Sequence, residues 1–198
     1  MKPLPRFQQH NAVRKNILRH MKSLLQTSRF TLTDNNVEEN PILKIFDSST
    51  VQILGGFETR WMPDDVLQQF LIPDSNLEDW EAVLIRALPG TKSAMHIHEH
   101  GCSIITCLGE SYGFPKPTTE LMHGYFVPQR RRQIVRRLPL TDNGFTFITP
   151  YVVHAFHTPA QGTSYALALA TPRVKEGDGK FDFVILDDKQ WMEQNCSI

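Results

Sequence analysis

Seven short apolar runs divided by turn residues follow one another from Trp80 onward, and they limit the fold more than any other feature. The runs are W-E-A-V-L-I-R-A-L, S-I-I-T-C-L, R-Q-I-V-R-R-L, G-F-T-F-I-T, Y-V-V-H-A-F, S-Y-A-L-A-L-A and F-D-F-V-I-L. Glycine, proline and asparagine between them are typical of turns, and no long helical pattern separates them. Strands at this spacing favour an antiparallel sandwich or barrel over alternating strands and helices. We therefore expect a mainly β fold.

The region before these runs predicts an amphipathic helix over residues 11–28. Its apolar side chains recur at the spacing of one helix face, and Asn11 is a suitable N-cap. They are Val13, Ile17, Leu18, Met21, Leu24 and Leu25. We expect this helix to pack on the main body. The chain is accordingly divided into an N-terminal helical extension over residues 1–45, a β-barrel over 46–190 and a C-terminal tail over 191–198.

Positive and negative charges balance in this sequence. Lys plus Arg and Asp plus Glu each number 21, so the formal net charge is zero. A neutral chain has no overall field that attracts nucleic acid or an anionic membrane, so we expect a small-molecule partner and a monomer or homodimer. One local cluster is either a solvated strand-and-turn face or an anion site. It consists of Arg130, Arg131, Arg132, Arg136 and Arg137.

The cysteines and the apolar runs indicate where the protein acts. Cys102, Cys107 and Cys196 are too few and too irregularly spaced for a disulfide framework or a cysteine-rich zinc site. No apolar run approaches the roughly 18 residues that span a bilayer, and the first residues lack the apolar region of a signal peptide. We therefore expect a cytoplasmic protein that enters no membrane.

The segment F-P-K-P-T-T-E-L-M-H-G at residues 114–124 contains two prolines, Pro115 and Pro117. Proline has no backbone N–H to donate within a sheet, and it is therefore rare inside central strands. This observation predicts that residues 114–124 form an exposed loop between strands.

Histidines stand at alternate positions in the segment A-M-H-I-H-E-H. Side chains at positions i and i+2 of a strand share a face about 6.7 Å apart, so His96 and His98 can reach one metal through bonds of about 2.1 Å. His100 lies about 13 Å from His96 on a straight strand and is too far. A third ligand can come from His154 or His157, which face opposite ways on one strand, and the apolar surroundings favour His154. Without a metal, the pair would be ordinary strand histidines with hydrogen-bonded nitrogens.

Glycines frame the histidine pair at a characteristic spacing. The matching residues are Gly90, His96, His98 and Gly109. This arrangement resembles the first sequence motif of the cupin superfamily, although Cys102 stands where that motif has a glutamate. The second motif is shorter than usual, with one residue fewer before His154. The resemblance implies a jelly-roll, antiparallel β-barrel with a metal in its mouth.

A cysteine at this place in the first motif resembles the cysteine dioxygenases, over roughly residues 50 to 172. These enzymes use non-haem iron(II) and dioxygen to turn a small thiol into its sulfinic acid. The resemblance implies that His96, His98 and His154 hold iron and that Arg60, in F-E-T-R-W, binds a substrate carboxylate. Three imidazoles without a carboxylate leave the metal its full positive charge and up to three open positions.

The sequence departs from that family at a late strand. There the family has a Ser-x-His-x-Tyr line whose tyrosine is joined to the cysteine, whereas this chain has Ala166, Ala168 and Ala170. The crosslink and its hydrogen-bond relay are therefore absent, and the small side chains predict a wider, more apolar pocket. Cys102 then either fills the barrel as a small apolar residue or borders the metal.

Three functions remain as hypotheses. The first is an iron(II) thiol dioxygenase acting on cysteine, a related aminothiol or a mercapto acid, with dioxygen as the second substrate. The second is a metal-dependent cupin isomerase or lyase that uses zinc, manganese or nickel as a Lewis acid, with Glu99, His100 or His157 in acid–base roles. The third is a cupin that binds a small ligand without oxygenase activity.

Overall fold

Strands dominate the computed structural model, which describes residues 6–46, 52–54, 57–127, 132–173 and 183–185. The helices are α1 (Arg6–Ser28) and the short α2 (Asp64–Leu67). The strands are β1 (Gln52–Leu54), β2 (Phe57–Trp61), β3 (Glu81–Ala87), β4 (His96–His98), β5 (Cys102–Leu108), β6 (Glu120–Val127), β7 (Arg132–Pro139), β8 (Phe145–Ile148), β9 (Val153–His157), β10 (Ser164–Thr171) and β11 (Phe183–Ile185). The prediction of a mainly β fold is confirmed.

The strands form two sheets. The first sheet has the order β1-β2-β3-β10-β5-β8, and the second has the order β11-β4-β9-β6-β7. All pairings between the described strands are antiparallel. Neighbours in each sheet are mostly distant in sequence, so hairpins alone do not build this fold. The predicted antiparallel arrangement is therefore present.

Helix α1 covers the outer face of the first sheet. Val13, Ile17 and Met21 are fully buried there, as the apolar spacing predicts. The helix begins at Arg6, earlier than the predicted start at Asn11. Asn11 instead accepts a hydrogen bond of 2.9 Å from Arg14 Nη2. Within the described residues, no helix is long and apolar enough to cross a membrane.

The N-terminal segment and the first sheet share one apolar core. Ile42 and Leu43 belong to the same cluster of buried side chains as Leu84, Ile104 and Leu167. Burial of this shared surface, at about 25 cal/mol per Å², ties residues 6–46 to the sheet. The predicted division at residue 45 is therefore not a division of the core. The predicted tail over 191–198 lies outside the described residues.

The two faces of β5 point to different parts of the molecule. Ile105 packs against Leu121 and Ile148 between the sheets, so alternate residues of β5 share that inner face. Thr106, on the other face, accepts a hydrogen bond of 3.3 Å from Arg14 of α1. This alternation determines which side chains of the first sheet can face the second sheet.

The prediction of an exposed loop is wrong over residues 120–124. These residues begin β6, which lies inside the second sheet between β9 and β7. Phe114, at the start of the segment, is fully buried. Pro115 and Pro117 precede the strand, so they remove no donor from its ladder.

Candidate metal centre

Three histidines meet on the inner face of the second sheet. His96 and His98 lie two residues apart on β4, and His154 of β9 is the cross-strand partner of His96. Each offers a nitrogen, and these nitrogens all lie within 4.8 Å of one another. Two nitrogens bound to one ion are at most about 4.2 Å apart. Small side-chain rotations therefore suffice for the three histidines to hold a metal ion.

Backbone carbonyl groups orient the imidazole rings of His96 and His154. The Nδ1 atom of His96 lies 2.9 Å from the Ala94 carbonyl oxygen, and that of His154 lies 2.9 Å from the Val152 carbonyl oxygen. A carbonyl only accepts, so each Nδ1 carries the proton and donates it. The lone pair of each neutral ring is then on Nε2. A histidine that binds a metal through Nε2 needs this tautomer, and the carbonyl contacts favour it before any metal is bound.

Burial favours the neutral form of His96 and His154. His154 is 1% exposed, and burial together with the neighbouring His96 lowers its pKa to about 3. Burial also lowers the pKa of His96 from its ordinary value of 6.5. Protons therefore compete weakly with a metal for these nitrogens at neutral pH. No carboxylate belongs to the cluster among the described residues.

Backbone hydrogen bonds hold β4 in place on both sides of the histidine pair. Before it, the Ser93 N–H donates to the Phe156 carbonyl at 2.9 Å, and the Phe156 N–H donates to Ser93 Oγ at 2.8 Å. After it, the Tyr151 N–H donates to the His98 carbonyl at 2.7 Å. The short strand is therefore tied to β9 and to the turn that precedes β9.

His157 does not reach the cluster. It shares a face of β9 with Ala155, opposite to that of His154. Its Nδ1 atom lies 3.6 Å from Oε2 of Glu120 on that outer face. The odd spacing between His154 and His157 separates them, so the structure brings His154, and not His157, to the cluster. Of the other acid–base candidates, Glu99 and His100 are exposed beyond the end of β4.

Cys102 also lies on the wrong face to border a metal. It has the orientation of Ile104, toward α1. Its Sγ atom is 4.0 Å from Arg6 Nη1, and its carbonyl oxygen is 3.1 Å from His10 Nε2. The structure therefore agrees with the interpretation of Cys102 as a buried packing residue. Cys107 does face the second sheet, and burial raises the pKa of its thiol to about 12.

Arg60 is turned away from the histidines as well. It pairs with Leu84, whose side chain belongs to the core under α1. There it lines a small cavity with Glu58, Arg86 and Tyr165. Arg86 makes ion pairs in this group, including one of 3.2 Å with Glu58. The structure therefore does not bring Arg60, the predicted binder of a substrate carboxylate, to the three histidines.

The three alanines of β10 share one face of that strand. Ala166 pairs with Cys107, Ala168 with Ile105 and Ala170 with Ser103, so all three face the second sheet. Ala166 and Ala168 pack against the apolar cluster between the sheets. The wider pocket that the sequence indicates at these positions stays a prediction.

A fourth histidine near the cluster was missed. His123 on β6 is the cross-strand partner of His154, and its charge is one of the influences that lower the pKa of His154. The sequence does contain a signal, since E-L-M-H-G-Y-F-V is an uninterrupted strand-like run after the prolines. The two prolines before this run are typical of a loop, and the loop prediction therefore included the run.

The chain was compared with known proteins. No protein-family model matches it, and no curated protein matches it. Among solved structures, KdgF from Halomonas sp. is 16% identical over 67% of this chain and 96% of its own, with a TM-score of 0.44. Rru_A2000 from Rhodospirillum rubrum, a cupin-2 domain, is 13% identical over 72% of each chain, with a TM-score of 0.42.

An enzyme is also among the similar structures. The oxalate decarboxylase of Lactobacillus farciminis is 17% identical over 73% of this chain, with a TM-score of 0.44. This chain covers 36% of that protein. The solved structures to which the chain is similar thus include cupin proteins, at low sequence identity.

Proposed function

We propose that this chain is a metalloenzyme of the cupin type that oxidises a small thiol to a sulfinic acid with iron(II) and dioxygen. One observation carries the proposal: His96, His98 and His154 offer ring nitrogens that all lie within 4.8 Å of one another, without a carboxylate in their group among the described residues. Both oxygen atoms of dioxygen end on the substrate sulfur, so RSH and O₂ give RSO₂H and no further reductant is needed.

The metal and the chain's own residues would each contribute to such a reaction. When bound, iron(II) supplies positively charged coordination positions at which a thiolate and dioxygen can be brought together. The carbonyls of Ala94 and Val152 fix the orientation of His96 and His154. Phe156, whose ring centre is 6.0 Å from that of His154, adds an apolar wall that limits water.

A second candidate is a metal-dependent isomerase or lyase. The observation that favours it is the placement of Arg60 and Cys102, which carried the resemblance to thiol dioxygenases and lie on the face under α1. A Lewis-acid enzyme needs neither residue, and zinc, manganese or nickel would suit its three imidazoles. A cupin that only binds a small ligand would not need Arg60 or Cys102 either.

Metal analysis and oxygen uptake separate these candidates. The protein is purified and its metal content measured, and the iron(II)-loaded form is then incubated with cysteine, cysteamine and 3-mercaptopropionate in an oxygen electrode. We expect uptake above that of free iron, with a sulfinic acid as product. Full occupancy by zinc, together with no uptake by the iron-loaded form, would support the isomerase or lyase and contradict the dioxygenase.

Two variants control this experiment. His154→Gln removes a proposed ligand, and we expect it to lower metal affinity by at least about a hundredfold and to abolish uptake. His157→Gln makes the same chemical change on the opposite face of the same strand, and we expect it to retain both. If both changes had equal effects, the loss of metal affinity and oxygen uptake would result from a disturbed β9 and not from a lost metal ligand.

A further inference from the structure

A small cavity lies between the N-terminal segment and the outer face of the first sheet. Its polar walls are Glu38, Glu58, Arg60, Arg86 and Tyr165. The volume of the cavity is about 10 Å³, which is close to the space that one water-sized molecule needs. None of these residues belongs to the three-histidine group, so the cavity is separate from the metal centre.

Strand register places the walls of the cavity side by side. Glu58 of β2 and Tyr165 of β10 are both cross-strand partners of Arg86 on β3. Directly opposed residues of antiparallel strands point to the same face. Arg60 follows Glu58 by two residues on β2 and therefore shares that face. Two guanidinium groups, a carboxylate and a phenol thus line the sheet side of the cavity.

The carboxylates of this cluster satisfy Arg86 only in part. Its Nη1 atom lies 3.2 Å from Oε2 of Glu58 and 3.3 Å from Oε1 of Glu38. Its Nε atom is buried and has no hydrogen-bond partner among the described residues. A buried donor without an acceptor costs free energy, and such groups in native proteins usually have a partner. Arg86 therefore keeps a donor that neither carboxylate satisfies.

Tyr165 and Arg60 add further donors to the cavity. Tyr165 is buried, and its ring stacks on Phe114 with ring centres 4.4 Å apart, so its hydroxyl group is held in place. Burial raises the pKa of this phenol, which therefore keeps its proton and can donate it. The guanidinium of Arg60 has only N–H donors and no acceptor. The donors come from three different strands.

The excess of donors defines the ligand that the cavity fits. Both carboxylates are already shared by one nitrogen of Arg86. A halide ion accepts hydrogen bonds from all sides and has no proton to place, whereas a water molecule must also donate its own protons. The cavity is too small for an oxyanion such as sulfate. It therefore suits a single monatomic anion.

Glu38 is the group that such an anion would compete with. It belongs to the N-terminal segment, and its side chain is 60% exposed. An ion pair with so exposed a carboxylate is weak, because water screens the charge. The Glu58 side chain is 24% exposed and keeps its own contact with Arg86. Glu38 can therefore leave Arg86 at little cost.

We propose that this cavity binds one halide ion, such as chloride, between Arg60, Arg86 and the hydroxyl group of Tyr165. The bound ion lies between the N-terminal segment and the first sheet, and it competes with Glu38 for Arg86. This inference goes beyond the proposed function and is independent of it, because it requires no metal. It gives Arg60 a ligand on the face where the structure places it.

The site is distinct from the arginine cluster noted in the sequence. Of that cluster, Arg130 and Arg131 lie outside the described residues. Arg137 is on the second sheet, where its Nη1 atom lies 3.7 Å from Oε2 of Glu120. Surface arginines attract chloride without holding it in a defined place, so a test must distinguish saturable binding from this background.

The line width of the chloride NMR signal tests the inference without an assay of activity. The whole chain is treated with a chelator, so that no metal at the histidines binds chloride, and gluconate keeps the ionic strength constant. We expect saturable broadening by the wild-type protein. Arg60→Gln should weaken chloride binding by about 10- to 100-fold, because a charged hydrogen bond is lost. Tyr165→Phe removes the hydroxyl group alone and should weaken it several-fold.

Matched variants complete the test. Arg173→Gln removes an arginine that pairs with Asp64 at 2.7 Å and does not line the cavity, so chloride binding should remain. Glu38→Gln removes the competing carboxylate and should strengthen binding, and with Tyr165→Phe it still reports if Arg60→Gln fails to fold. Wild-type protein without saturable broadening would mean that the cavity holds water alone and overturns the inference. An unchanged affinity in Arg60→Gln, or an equal loss in Arg173→Gln, overturns it as well.

Discussion

Three buried histidines make the metal-free protein sensitive to acid. Burial lowers the pKa of His10, His96 and His154, the last to about 3. In the unfolded chain these groups return to about 6.5 and bind protons that the folded state excludes. The stability they contribute is therefore present above pH 6.5 and is lost as the pH falls from 6.5 toward 3.

We predict that the free energy of unfolding of the metal-free protein decreases between about pH 7.5 and about pH 5. His154 alone accounts for about 2 kcal/mol of this decrease. Urea unfolding in the presence of a chelator measures it. The His154→Gln variant should show a flatter dependence on pH. Equal stability of the wild-type protein at the two pH values would contradict the buried neutral state.

Strand alternation explains which site residues could be predicted from the sequence. The spacing of His96 and His98 places them on one face whatever the fold around them, and the odd spacing of His154 and His157 allows only one of them to join. The strand face of Cys102 could not be predicted in this way, because β5 is buried along its whole length and shows no alternation of buried and exposed residues. Its face depends on α1, which a local pattern does not reveal.

At the scale of elements, α1 depends on its apolar stripe. Ile17 is fully buried against the first sheet, whereas Lys15 on the same helix is exposed. We predict that Ile17→Ala lowers the free energy of unfolding by about 3 kcal/mol, through lost burial and the cavity that remains. Thermal unfolding should show a decrease in Tm of about 6–12 °C.

The matched change on the exposed face of the helix is Lys15→Ala. We expect it to alter stability by less than about 0.5 kcal/mol, because it removes no buried group and alanine favours helix. A similar loss in both variants would contradict the assignment of this stability to the buried face of α1.

Elements were predicted well where the sequence pattern was local. The apolar stripe of α1 and the runs that became β3, β5 and β10 carry their own periodicity. β6 was misassigned because a loop and a strand share one stretch, and the prolines in the first part concealed the strand in the second. That error also concealed His123, since a histidine in a presumed loop gives no reason to expect it beside the metal centre.

On the scale of the whole molecule, a bound ion would join β4 to β9. The ladder between these strands has one residue pair, His96 with His154. We predict that a divalent metal at about a hundredfold excess over its Kd adds about 2.7 kcal/mol to the stability. Thermal unfolding with zinc should then occur about 5–10 °C higher than with a chelator.

The control for this measurement is His98→Gln, which removes one donor and leaves the His96 and His154 pair intact. We expect zinc to raise the Tm of this variant by much less than that of the wild-type protein. An equal increase in both proteins would mean that zinc acts elsewhere on the molecule.

The three histidines come from segments that are far apart along the chain, and this separation would determine when during synthesis a metal ion could be bound. While the polypeptide leaves the ribosome, only the two histidines of β4 would be available, and two imidazoles on an unfolded segment would hold an ion weakly. His154 would join them only after β9 has been made and has taken its place in the sheet. Metal loading would therefore follow folding, and a cell short of the metal would accumulate a folded, empty protein.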